Sequence, residues 1–307
     1  MRRMGLLCVA MVIISCAPLP PIPFVTDADV APPVVTGLGF AGASRLRVTF
    51  DEAVEVVGEA LPSDGAVVTG VEVAPGTALD FVFESPPSPE REHHVEAQVS
   101  DASGNHLRFV AHFYGLNAML PAMIINELTT QGSSSHPDLV EIRVLTDGNL
   151  AGAALFEGTP ENWEQRFVFP SVNVVAGDYI VVHTKPDGTA DEVNETTSRD
   201  VSGGTDSNRD AWDFWLDEGS GLSGNNGVIS LCGNPLGGYI DAVLYSNRTS
   251  DSDERYRGFG SRDVMERADA LFAAGAWRAA GDAIAPEDAV DPEPSTSTRS
   301  MARSSSG

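Results

Sequence analysis

Asn126, Glu127, His136, Asp138 and Glu141 fall together in the stretch IINELTTQGSSSHPDLVEIRVL, residues 124–145. Carboxylates beside an imidazole can exchange a proton with a substrate or hold a cation, so this stretch is the first candidate for chemistry. A second lies in DSNRDAWDFWLD, where Asp206, Asn208, Asp210 and Asp217 occupy positions 1, 3, 5 and 12 of a calcium-loop template. Oxygens at alternate positions all point inward when such a loop curls around a hard cation. Calcium is therefore the cofactor that this acidic loop could take, although Ala211 stands where the template turns on Gly and Asp217 where it ends on Glu. The alternatives to a plain binding role are a metal-dependent hydrolase using Asp206, Asp210 and Asp213 with His183, or a calcium-stiffened adhesin using the acidic loop 185–221. Trp212, Phe214 and Trp215 sit in the same run and offer either a partner-binding patch, if exposed, or a cover for one end of a core.

No Gly-x-Ser-x-Gly, His-Glu-x-x-His, phosphate-cradling Gly loop or Cys–His pairing occurs in the chain, so no catalytic residue is assigned. The elements that carry the candidates read as strands. In DLVEIRVL, Val140, Ile142 and Val144 alternate with Glu141 and Arg143, which places the two charges on an outer face. In IINEL the same parity puts Asn126 and Glu127 on opposite faces, so one of them must be buried, bulged or paired. Further strands are expected over 152–156, 166–169, 178–183, 227–231 and 239–245. Residues 31–115 also alternate, as in RLRVTF (45–50) and ALDFVFE (78–84), with turn residues between the runs. Within that unit, His93, His94, His106 and His112 are expected on the surface. A helix with Val264, Ala268, Leu271 and Phe272 on one stripe is expected within 261–281. The tail 282–307, rich in Pro, Ser, Thr and acids, reads as disordered.

Charge and cysteine usage bound the partners. The chain has 307 residues and a formal charge of −25, which repels phosphate backbones and argues against nucleic acid. Cys8 and Cys16 lie at the N-terminus, leaving Cys232 alone in the folded part, where it reads as a core residue. Arg2 and Arg3 precede the apolar run Gly5–Ile14, too short to span a bilayer and suited to a signal peptide over 1–15. The run ends in Ile13-Ile14-Ser15-Cys16, which resembles a bacterial lipobox; the resemblance implies lipidation of Cys16. Ala17 then carries no acidic retention signal, so an outer membrane is the favoured location in a cell that has one. Residues 16–30 form a Pro-rich tether.

Two family resemblances follow from the strand pattern. PPVVTGLGFAGASRLRVTFDEAV (32–54) and VSDASGNHLRFVAHFYG (99–115) resemble the bacterial Ig-like domains of envelope proteins. The motifs MIINELTTQG, DLVEIRVL, LAGAALFEG, FVFPSVNVVAGDYIVVHT, GLSGNNGVISLCG and YIDAVLYSN, in that order over 123–247, resemble the lamin-tail domain. A long insertion between Thr184 and Gly221 departs from that pattern. The resemblances imply an all-β chain of two Ig-like β-sandwiches in tandem, over 31–117 and 120–260, followed by a short helix and the tail. The function expected is non-enzymatic: adhesion, scaffolding or other protein binding at the cell envelope.

Overall fold

The computed structural model describes residues 29–62, 65–296 and 298–304. Cys16, the signal sequence and most of the tether lie outside these residues. The described chain is all-β, with one α-helix. None of its helices is long and apolar enough to cross a membrane.

The first unit comprises β1 (Val35–Gly42), β2 (Arg45–Phe50), β3 (Glu55–Val56), β4 (Leu61–Pro62), β5 (Val68–Ala74), β6 (Ala78–Phe83), β7 (Glu92–Ser100) and β8 (His106–Tyr114). One sheet has the order β1-β2-β6-β5, and the other is built on β7, which pairs β3, β4 and β8. Alternation sets the packing. Leu46, Val48 and Phe50 from β2, Leu79, Phe81 and Phe83 from β6, and Val95, Ala97 and Val99 from β7 share one core. His93 continues the inward face of β7 and is 1% exposed, which corrects the expectation of a surface histidine. Its ring stacks on Phe113, and its Nε2–H donates to the Ser88 carbonyl at 3.0 Å. Burial is the main cause that lowers its pKa. His94, His106 and His112 are exposed, as expected.

The second unit comprises β9 (Met123–Thr129), β10 (Leu139–Val144), β11 (Gly148–Asn149), β12 (Ala154–Thr159), β13 (Asn162–Val168), β14 (Asn173–Val174), β15 (Tyr179–His183), β16 (Ala211–Trp215), β17 (Asn226–Asn234) and β18 (Gly237–Ser246). They are followed by α1 (Arg262–Ala273) and β19 (Met301–Ala302). Sheet β16-β15-β10-β9-β19 packs on sheet β13-β12-β17-β18. Ile125, Val140, Ile142, Ile180, Val182, Phe214, Ile229 and Leu231 lie between them. Removing this much apolar side-chain surface from water, at roughly 25 cal/mol per Å², is what holds two such sheets together.

On the outer face of the second sheet, α1 buries Val264, Ala268 and Leu271 against Val228 and Leu244. The Ser261 hydroxyl caps the helix by accepting from the Val264 amide. The helix is shorter than expected, and Phe272 lies partly exposed.

Two sequence expectations are corrected here. The tail does not stand apart from the fold: Pro286–Asp288 form a 3-10 turn, and β19 adds antiparallel to β9. Its few apolar residues find partners on a neighbouring strand edge, which composition alone does not reveal. The insertion after Thr184 likewise contains β16, which pairs parallel to β15 from Tyr179↔Ala211 to His183↔Trp215. A parallel pair needs a long crossover, and residues 184–210 supply it.

Candidate functional site

The conflict between Asn126 and Glu127 is resolved by a bulge. Glu141 pairs with Glu127 and Ile142 with Ile125, so Asn126 is the extra residue, and both side chains remain partly exposed on the outer side. The Asn126 amide donates to Glu141 Oε1 at 2.6 Å. Burial is the main cause that raises the Glu141 pKa, and the facing Glu127 adds to it, while Asn126 opposes it. Asp138 serves the loops instead: Oδ1 accepts from the Gly132 amide at 2.7 Å and Oδ2 from the Leu222 amide at 2.9 Å. His136 is exposed, 3.2 Å from Asp206 Oδ1. The opening stretch is thus a pair of strands and a clamped loop in which Asn126, Asp138 and Glu141 are engaged with the protein, while the buried Thr130 hydroxyl has no hydrogen-bond partner among the described residues.

A buried polar cluster lies one strand further on. Val181 and His183 on β15, with Asp213 and Trp215 on β16, point away from the sandwich core, yet all four are buried because the crossover folds back over them. His183 and Asp213 are 0% and 1% exposed, and Nε2–H of His183 donates to Asp213 Oδ1 at 2.7 Å. The His183 ring stacks on Trp215 at 3.8 Å with 9° between planes. Asp213 Oδ2 accepts from the Asn208 amide at 2.7 Å. Glu195, 0% exposed, takes the amides of Val201 and Ser202 on Oε1 and that of Asp213 on Oε2, at 2.8, 3.1 and 2.9 Å. Trp215 donates from its indole to Ser202 Oγ at 2.9 Å. Gly204 lies so close to that indole that a Cβ would fall 2.5 Å from the ring. Beside the cluster, Glu192 accepts the amides of Asp187, Gly188 and Thr189. The acidic residues of the insertion therefore accept backbone amides along a long connection, most of them on exposed residues, and Glu195 does so for the buried Asp213.

His183 and Asp213, paired in the hydrolase reading, do come together. Asp206 and Asp210 do not join them: they lie on an open groove of about 470 Å³ together with Glu127 and Glu141. The calcium template is not assembled either. Asp206, Asn208 and Asp210 sit in the turn before β16, Asp210 donating its amide to Asn208 Oδ1, while Asp217 lies beyond the strand. An extended strand rises about 3.3 Å per residue, so position 12 is carried away from positions 1, 3 and 5. The aromatic run is not an exposed patch. Phe214 packs on Phe167 and Phe169 in the core, Trp215 is 4% exposed under the crossover, and Trp212 is half-buried with its indole donating to Asp178 Oδ2 at 3.3 Å.

Sequence reading missed Asp29, Glu52 and Asp101, whose carboxylate oxygens lie within 4.8 Å of one another at one end of the first unit. Desolvation first, and then the neighbouring Asp101, Asp29 and Asp51, raise the pKa of Glu52. Asp101 is already occupied by the Asn105 amide and side chain at 2.8 and 2.7 Å. Residues this far apart in sequence gave no local signal. Cys232 is buried as expected, and burial pushes its thiol up to about 12, which makes it unreactive.

Fold and site together define a β-sandwich protein whose long crossover is locked down by a buried imidazole–carboxylate pair. The family described as "protein second domain" matches residues 121–307, and the chain belongs to it. That span takes in the second sandwich, α1 and the tail. A protein of Treponema pallidum (strain Nichols), described as uncharacterized, is 27% identical over 139 residues, which are 45% of this chain and 35% of that relative. The chain thus matches about a third of the relative's length.

Proposed function

We propose that the chain is a non-enzymatic interaction module of the bacterial cell envelope, anchored through a lipid on Cys16 and displaying the loops and edges of two β-sandwiches. The observation that carries this reading is the commitment of the insertion's buried ionisable groups to the fold. Asp213 and Glu195 accept backbone amides and the His183 ring, in a place closed to solvent. Groups used in this way hold a surface rigid, and rigid frames that present loops and edges are a common basis for binding. The resemblances to Ig-like and lamin-tail domains support the same reading by analogy only, because fold does not fix function.

Two measurements test it. Mass spectrometry of the full chain from cells should show a lipid adduct on Cys16, and Cys16→Ala should leave the membrane fraction; a variant that stays membrane-bound overturns the anchor. Hydrolysis of an envelope substrate by the purified chain, lost in Asp213→Asn while that variant still melts cooperatively, would overturn the non-enzymatic assignment.

A further inference from the structure

The edge of β9 is occupied by the chain's own tail, and the manner of that occupancy describes a ligand. Met301 and Ala302 pair antiparallel with Leu128 and Glu127, and the Arg303 amide donates to the Asn126 carbonyl at 2.8 Å. Side chains add the selectivity. Met301 packs against the sandwich core, Ser300 donates to Glu127 Oε1, and Arg303 Nη2 lies 2.6 Å from Asp241 Oδ2, with its Nε donating to the Ile125 carbonyl at 3.1 Å.

The hold is short. β19 spans two residues, and Ala302 and Arg303 remain exposed. Beside the tail lies an open groove of about 320 Å³, lined by Leu128, Val243, Trp277, Val290 and Met301, which the tail borders without filling.

We infer that the β9 edge is an acceptor for an extended partner peptide carrying an apolar residue with Arg two positions later, and that the tail holds this site as a built-in competitor. Added strands bind through main-chain hydrogen bonds, which give affinity, and through pockets for alternate side chains, which give specificity. Here the apolar groove takes the first side chain and Asp241 the arginine. The strongly acidic surface of the chain favours a basic partner segment over an acidic one. This inference deepens the interaction-module reading and rests on it.

The test uses the full chain and a fluorescent peptide with the sequence of residues 298–304. Arg303→Glu removes the tail's ion pair and should free the edge. Because a site blocked most of the time binds in proportion to its open fraction, the variant should take the peptide about tenfold more tightly than the natural chain. Adding Asp241→Arg should abolish that binding, and a peptide with Glu at the arginine position should restore it, which also shows that the double variant is folded.

Equal affinity of the natural chain and Arg303→Glu, or indifference to the charge at Asp241, overturns the inference. So does a concentration-dependent dimer of the natural chain that Arg303→Glu dissolves, since that result assigns the edge to the tail of a second copy. Failure at this edge leaves the module reading standing, whereas the substrate hydrolysis described above would remove that reading without touching the peptide result.

Discussion

At the scale of single residues, the second sandwich contains a carboxylate whose cost can be read by titration. Glu157 is 6% exposed; Oε2 accepts from the Gln165 amide group at 2.7 Å and Oε1 from the Ser223 amide at 3.1 Å. Burial is the largest influence and raises its pKa above the ordinary Glu value, against those two donors. A raised folded-state pKa means that the folded chain holds the proton more tightly than the unfolded chain does. Glu157 therefore contributes stability that is fully present below the ordinary Glu pKa and is lost as pH rises through the folded value. Glu157→Gln cannot ionise, so in urea unfolding it should lose less stability, or gain more, than the natural chain on going from about pH 4 to about pH 7. An unchanged difference would mean that Glu157 binds its proton equally well in the folded and the unfolded chain. Cys232, with a thiol held at about 12, does not contribute to this titration.

At the scale of elements, β16 is the piece whose placement depends on side chains rather than on strand pattern. It is an edge strand in parallel pairing, reached by the crossover 184–210, and polar contacts among His183, Asp213 and Glu195 fasten that crossover to the sheet. Removing the Asp213 carboxylate leaves the buried His183 ring without its partner, while Glu195 keeps the backbone amides it accepts, and an orphaned buried polar group costs more than the bond itself is worth. Asp213→Ala should therefore destabilise the second sandwich by about 3 kcal/mol or more, read from the urea midpoint, and should speed hydrogen exchange in 195–215 ahead of the rest. A loss below about 1 kcal/mol would mean that packing of Val181 and Trp215 suffices to hold the element. The strand pattern was legible where alternation is strict. Leu139–Val144 and Tyr179–His183 fall close to their expected places, and Glu141 and Arg143 point outward. It failed for Ala211–Trp215 because acidic neighbours masked a short strand, and for the tail because two residues of strand have no periodicity to detect.

At the scale of the molecule, the two sandwiches touch through a few defined contacts. Asn117, between them in sequence, donates from its side chain to the carbonyls of Asn149 and Ala151 at 2.8 and 2.9 Å. The Pro89 carbonyl of the first unit approaches Gly152 of the second so closely that a Cβ there would fall 2.2 Å from it, and Gly152 has a φ of +77°. Gly177, at +96° with nothing within 4 Å of a Cβ, supplies the control. Gly177→Ala should cost only backbone strain, about 1 kcal/mol, whereas Gly152→Ala adds the clash and should cost roughly 2–4 kcal/mol. Calorimetry should then show the two units melting further apart in Gly152→Ala but not in Gly177→Ala. Equal effects would mean that the contact between the units yields without cost.

Composition and alternation by themselves determined the all-β class, most strands of both units, the inward faces of RLRVTF and DLVEIRVL, and the outward Glu141. These are local consequences of a two-residue repeat on a half-buried surface. Only the tertiary structure decided which polar residues are buried. His93 follows its strand into a core, and His183 and Asp213 are closed over by a distant crossover, while the exposed Arg303 of the tail meets Asp241 of the other sheet. Burial of a side chain on an outer face depends on what folds over it, and the residues that do so are remote in sequence, so no local pattern records them.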